Sequence, residues 1–203
     1  MNFFPRDWPR RFLLAAIFCF CCGAALAIVA QELSLFRVQN DTMIRIAAPR
    51  TRFLAGKALD RIRDGNTVHF DFQVTLASGS QQNVVQRIVE RFSISYDLWE
   101  ERFSVSRVRT PRKAAAHLSS LEAETWCLNN LALLAPPEIR DKPIWVKLEI
   151  RAEDPMQRQP LFTEPGVNLS ALIEIFSRPV AKNQASWSLE SGPVNWSDIR
   201  QGT

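Results

Sequence analysis

Past position 30 the chain has a single cysteine, Cys127; the other three, Cys19, Cys21 and Cys22, fall in one apolar stretch near the N-terminus. One thiol closes no intrachain bridge, so a disulfide framework is excluded, and scarcity of cysteine suits a domain that folds under oxidising conditions without mispairing. Histidine is almost as scarce, with only His69 and His117. Zinc needs three or four ligands from Cys, His and carboxylates, and two distant histidines with one thiol do not supply them. Only 7 glycines occur in 203 residues, and none forms a phosphate-cradling loop. Neither a calcium-loop spacing nor a nucleophile elbow is present. No cofactor is therefore expected, and no catalytic motif speaks for an enzyme.

Charge of one sign is also missing. The chain carries 25 Lys plus Arg against 21 Asp plus Glu; residues 1–30 hold Arg6, Arg10 and Arg11 against Asp7, so the remainder is 22 against 20, or +2. A duplex binder concentrates basic charge on one face, so nucleic acid is not an expected partner. The one local cluster is Arg107, Arg109, Arg112 and Lys113. Its plain reading is a solvated loop, and its sharper reading is a weak contact with anionic headgroups.

Long hydrophobic runs are absent except for one. Phe12 to Ala30 is FLLAAIFCFCCGAALAIVA, without a charge, and comes directly after the basic MNFFPRDWPRR. Positive charge before an apolar run keeps the N-terminus inside and sends the downstream chain across the membrane. Two physical objects share this pattern. A cleavable signal peptide needs a short apolar core and a small-residue site, which Ala25-Leu26-Ala27 supplies. An uncleaved anchor needs about 20 apolar residues, and nineteen at helical rise span roughly 28 Å. The A-x-A site tips the reading toward cleavage. The expected organisation is residues 1–30 as signal peptide or membrane anchor and 31–203 as a single exported domain, periplasmic or held at the inner membrane facing the periplasm.

Within the exported part, alternation is the main signal. Val68, Phe70, Phe72, Val74 and Leu76 alternate with polar residues, predicting an antiparallel strand with one wet face. Ile144, Val146, Leu148 and Ile150 repeat the pattern. Glu32–Val38 and Met43–Ala47 read as a hairpin around Asn40-Asp41. Asn83–Ser93 is ambiguous in period and is read as strand from its neighbours. Ile94–Tyr96 and Phe103–Val108 are the arms of a hairpin around Trp99-Glu100-Glu101. Residues 51–64 carry a helical stripe, with Thr51 as candidate cap and Gly65 at the left-handed C-terminal position. Ala114–Leu118 and Leu121–Leu128 read as two helical pieces, the second capped by Ser119 or Ser120, with Cys127 as a small buried hydrophobe. A further helix is expected from Asn168 to Ser177, a last strand from Gln184 to Glu190, and loop or frayed helix at the end. The fold class expected is α+β: one twisted antiparallel sheet of about six or seven strands, with two or three helices on one face.

The long alternating strand, the hairpin with its aromatic-acidic turn, the helix up to Leu128, the Trp145 strand and the ending Trp187-Ser188-Leu189-Glu190-Ser191-Gly192 form a pattern over most of residues 31–195. It resembles the bacterial envelope family called domain of unknown function 4390. That resemblance implies export and a β-rich fold, and carries no known activity.

Candidate sites are the side chains that core packing does not require. Trp99 and Trp145 fall at turn or polar-face positions, and exposed aromatics mark binding surfaces. With Trp187, Arg107 and Arg109 they make the candidate binding surface, against the plainer reading that each tryptophan packs under a loop or helix. His69 and Asp71 share one strand face and could orient a general base, or be two solvated side chains. The leading function is a non-catalytic interaction module with an envelope protein as partner, and with the membrane itself if residues 12–30 stay uncleaved. The alternatives are a carrier of a lipid or small apolar ligand, with a pocket between sheet and helices, and a hydrolase built on His69 and Asp71.

Overall fold

The strand that alternates most cleanly in the sequence sits at the centre of the larger sheet. A computed structural model describes residues 33–38, 42–153, 176–180 and 184–202, all within the unit Gln31–Thr203. The expected targeting segment 12–30, all but the first residue of the proline-rich loop expected over 153–166, and nearly all of the helix expected over 168–177 lie outside the described residues.

Strand β3 (Val68–Ser78) pairs antiparallel with β4 (Val84–Asp97) on one side and with β8 (Ile144–Ala152) on the other. Strands β5 (Arg102–Arg107) and β6 (Lys113–Leu118) extend the sheet beyond β4, and β9 (Ser186–Val194) beyond β8, giving the order β6-β5-β4-β3-β8-β9. The hairpin of β1 (Ser34–Val38) and β2 (Met43–Ala47) forms as expected, but in a second sheet. There β7 (Ala132–Leu134) flanks β2, and β10 (Arg200–Gln201) lies parallel to β1. The expectation of one sheet with two or three helices is thus overturned. The protein is mostly β, with sheets of six and four strands and, among the described residues, two α-helices.

The helices show where local signals win. Helix α1 (Gly56–Arg63) ends in a Schellman motif, with Gly65 N–H donating to Ile62 O and Asn66 N–H to Arg61 O, and Gly65 at φ +86° where the sequence placed it. Its start is later than the stripe suggests, because Phe53 and Leu54 are buried in the extended chain ahead of it, and Thr51 is buried instead of capping. Helix α2 (Ser120–Asn129) opens on a full capping box between Ser119 and Glu122. The helical reading of Ala114–Leu118 fails. That segment is β6, since β5 offers a row of backbone groups that must be paired, and alanine's helix preference of a few tenths of a kcal/mol does not outweigh them.

One core joins both sheets and both helices. Phe53 packs edge-on against Phe70 and Phe72, with ring centroids 5.3 and 5.2 Å apart, and Phe92 packs edge-on against Phe72 and Trp126. The Glu124 carboxylate on α2 accepts the buried Leu54 N–H at 2.8 Å, tying the chain before α1 to α2. Burial raises the Glu124 pKa, opposed by this hydrogen bond and by Arg52. Cys127 is completely buried and unbridged, as expected, and burial pushes its thiol up.

The other face of β3 corrects the expected wet face. Asp71 is only 2% exposed and takes a bidentate pair from Arg91 on β4, both contacts 2.6 Å. In register beyond it lies Arg151 on β8, whose guanidinium donates to the carbonyls of Arg178 and Phe176 and sits 4.9 Å over the Phe176 ring. Gln73 donates to Glu149 at 3.0 Å. Residues 176–178 therefore cover this stretch of the outer face.

Candidate interaction site

The far end of the same outer face, over β4, β5 and β6, is open. Ser93 and Ser95 on β4, Ser104 and Ser106 on β5, and Ala114 and Ala116 on β6 line a groove of about 450 Å³. These side chains share a face because β4 and β5 pair Ser93 with Ser106 and Ser95 with Ser104, while β5 and β6 pair Ser106 with Ala114. All six are small, so the groove floor is close to the backbone itself.

At one end stands the β4–β5 turn. Asp97 accepts the N–H groups of Trp99 and Glu100 at 2.8 and 3.1 Å, and these bonds hold its carboxyl below the usual range. Tyr96 and Phe103 stack across the hairpin base at 4.8 Å. Capping and packing of this kind fix the backbone of the turn from which its side chains project. Trp99 is 96% and Leu98 60% exposed there. Glu100 reaches His117 at 2.6 Å, which ties the turn to the end of β6, where His117 adopts φ +59°.

Basic residues gather at the other end. Arg109, Arg112 and Lys113 are exposed, and Arg107 is half-buried with Nη2 donating to Pro111 O at 2.9 Å. Arg109 donates to Glu90 at 3.4 Å. Burial raises the Glu90 pKa, and Arg107 and Arg109 work against that rise. The Arg107–Lys113 cluster is thus partly built into the fold rather than wholly solvated.

The remaining tryptophans divide. Trp145 is half-buried on the outer face, as its place in the alternation requires, and lines a pocket at the opposite end of the sheet. Trp187 departs from its expected role: it packs against Phe53 and Phe70 at the margin of the core, with centroids 6.3 and 6.5 Å away. Trp126 packs against the core as well, and Trp196 is buried beneath the guanidinium groups of Arg37 and Arg140. Trp99 alone among these five is fully displayed.

His69 and Asp71 do not act together. Both Asp71 oxygens face Arg91, while His69 Nδ1 lies 2.8 Å from Ser93 Oγ on β4. Burial lowers the His69 pKa, with Glu153 opposing and Arg91 adding to the fall. A neutral imidazole can accept a serine proton, and Ser93 also lines the groove. Sequence reading missed Ser93 because it lies 24 residues from His69 and only the β3–β4 register joins them. No group of three metal-ligating side chains occurs among the described residues, and no helix among them is long and apolar enough to cross a membrane. Comparison with family models, with curated proteins and with solved structures finds no match to this chain.

Proposed function

We propose that the domain is a non-catalytic interaction module of the cell envelope, delivered by residues 12–30, which receives an extended acidic segment of a partner protein along β6. The basic-then-apolar N-terminus and the resemblance to the domain of unknown function 4390 family support the address. The observation that carries the docking surface is a difference among sheet edges. A strand edge is a template for another strand unless it is blunted. β7 has three residues and runs into Pro136-Pro137, β10 has two, and β9 contains Pro193, which has no N–H to offer. β6 has six residues without proline, among the described residues it pairs only with β5, and its register is regular over Lys113–Ala115 before slipping ahead of Leu118. A strand added there would run from the Trp99 turn to Arg109, Arg112 and Lys113, so complementarity calls for acidic side chains at the basic end and an apolar one near Trp99. The two grooves described above open on the outer face of the six-stranded sheet and are lined by strand and loop residues, not by helices.

A photo-crosslinking residue placed at Ala116 in cells tests the proposal. The expected result is one dominant adduct, lost with Ala114→Pro and weakened by Lys113→Glu. Absence of any adduct from Ala114 and Ala116, or an adduct indifferent to both substitutions, removes it.

A second reading, hydrolysis, is favoured by the Ser93–His69 contact alone. It predicts labelling of Ser93 by a fluorophosphonate, lost in Ser93→Ala and reduced in His69→Gln; an unlabelled protein retires it.

A further inference from the structure

We infer that the pocket beside Trp145 binds one ring of a neutral saccharide. It lies on the outer face at the end of the sheet away from β6, between β3, β8 and β9, with a volume of about 180 Å³. Three features mark it as built. The β8–β9 register slips between Ile144 and Val146 at the pocket, and the β3–β4 register slips between Leu76 and Ala77 next to it, while β3 and β8 pair regularly beneath it; such bulges re-aim side chains beside functional sites. Gly192 at φ +127° closes one wall, and a Cβ on it would come within 2.7 Å of Ile144 O and 2.9 Å of Trp145 Cδ1, so only glycine lets β9 approach the indole this closely. Trp145 belongs to the polar face of β8, where the core has no use for it.

The lining selects the ligand. Trp145 offers an aromatic surface, while Thr75, Gln81 and Ser191 offer groups that both donate and accept hydrogen bonds. The two charged members of the lining, Lys147 and Glu190, lie 3.8 Å apart and offset one another. A purely apolar ligand would strip water from these polar groups and return nothing. The volume is below the range of pockets for drug-sized ligands and suits a ligand of about one ring. A pyranose has C–H bonds on one face and hydroxyls around its rim, and it satisfies both requirements. This site is independent of the β6 edge.

The test uses the exported protein from cells expressing the full chain, with ¹⁵N-labelled tryptophan indoles and Trp145→Phe to identify the resonance. Maltotriose, cellotriose and tri-N-acetylchitotriose are titrated separately. The expected result is a saturable shift of the Trp145 indole signal with at least one of them. It should weaken about tenfold in Gln81→Ala, an exposed turn position whose loss spares the core. No saturable shift with any of the three at its solubility limit overturns the inference. So does binding that is unchanged in a folded Trp145→Ala protein.

Discussion

Around Asp71 and Gln73, β3 is buried on both faces, by opposite chemistry. On the inner face Val68, Phe70, Phe72, Val74 and Leu76 are wholly buried among aromatic and aliphatic side chains. On the outer face Asp71 and Gln73 are 2% and 6% exposed, closed in by Arg91, Glu149 and the chain that Arg151 holds. Apolar packing is non-directional, so any side chain of suitable shape serves it. A buried carboxylate is tolerated only with its particular partner in place, because desolvation of an unpaired charge exceeds what packing returns. The inner face thus gives the domain its bulk stability, and the outer face ties particular strands in particular registers.

The sharpest contrast is between single and paired substitutions. Phe72→Ala should cost about 3–5 kcal/mol, and Arg91→Ala, which strands Asp71, about 3–5 kcal/mol as well. Only the second loss should be largely recovered by a compensating change: Asp71→Leu with Arg91→Met should approach wild-type stability in urea denaturation. A double variant as weak as Arg91→Ala would show that the outer face does not behave as a replaceable pair. A smaller effect is expected inside the core, where Glu124→Ala removes the acceptor of the buried Leu54 N–H and should cost about 1–3 kcal/mol.

Acid should separate the faces without mutation. The His69 pKa lies below the ordinary imidazole value of 6.5 because of burial, so its contribution is present above 6.5 and lost as pH falls through the depressed value. Glu90 and Glu124, raised by burial, act in the other direction: their contributions are complete below the ordinary carboxyl value of 4.5 and lost as pH rises through the raised values. His69→Gln should therefore flatten the decline of Tm below pH 6.5 and leave the carboxylate part unchanged. A decline of the same slope in the variant would assign the effect elsewhere. The smallest change in stability is expected at Trp99→Ala, within about 0.5 kcal/mol because the side chain touches little. The same substitution should weaken the crosslink from Ala116 if Trp99 anchors the partner. Unaltered crosslinking would restrict the docking surface to β6 and its groove.

Legibility depended on the range of the signal. The caps at Ser119 and Gly65, the β1–β2 hairpin and the two long alternating strands are local patterns, and the structure contains them. Trp99 was legible too, since an aromatic among acidic turn residues has nothing in the core to reach. The division into two sheets was not. β7 and β10 have three and two residues, too short for any period, and they exist because β2 and β1 leave backbone groups to pair. Trp187 looked like a surface residue because its strand is short and mixed in polarity, yet Phe53, more than a hundred residues earlier, supplies the face it packs on.

The amino-acid order by itself determined which side chains of each long strand share a face and where helices stop, because those depend on backbone geometry over a few residues. Only the tertiary structure decided that the polar face of β3 is dry at Asp71, that His69 meets Ser93 and not Asp71, and that β6 is the edge without a proline or a truncation. Those outcomes depend on strand register and on which distant segments cover which surface, and a linear pattern carries neither.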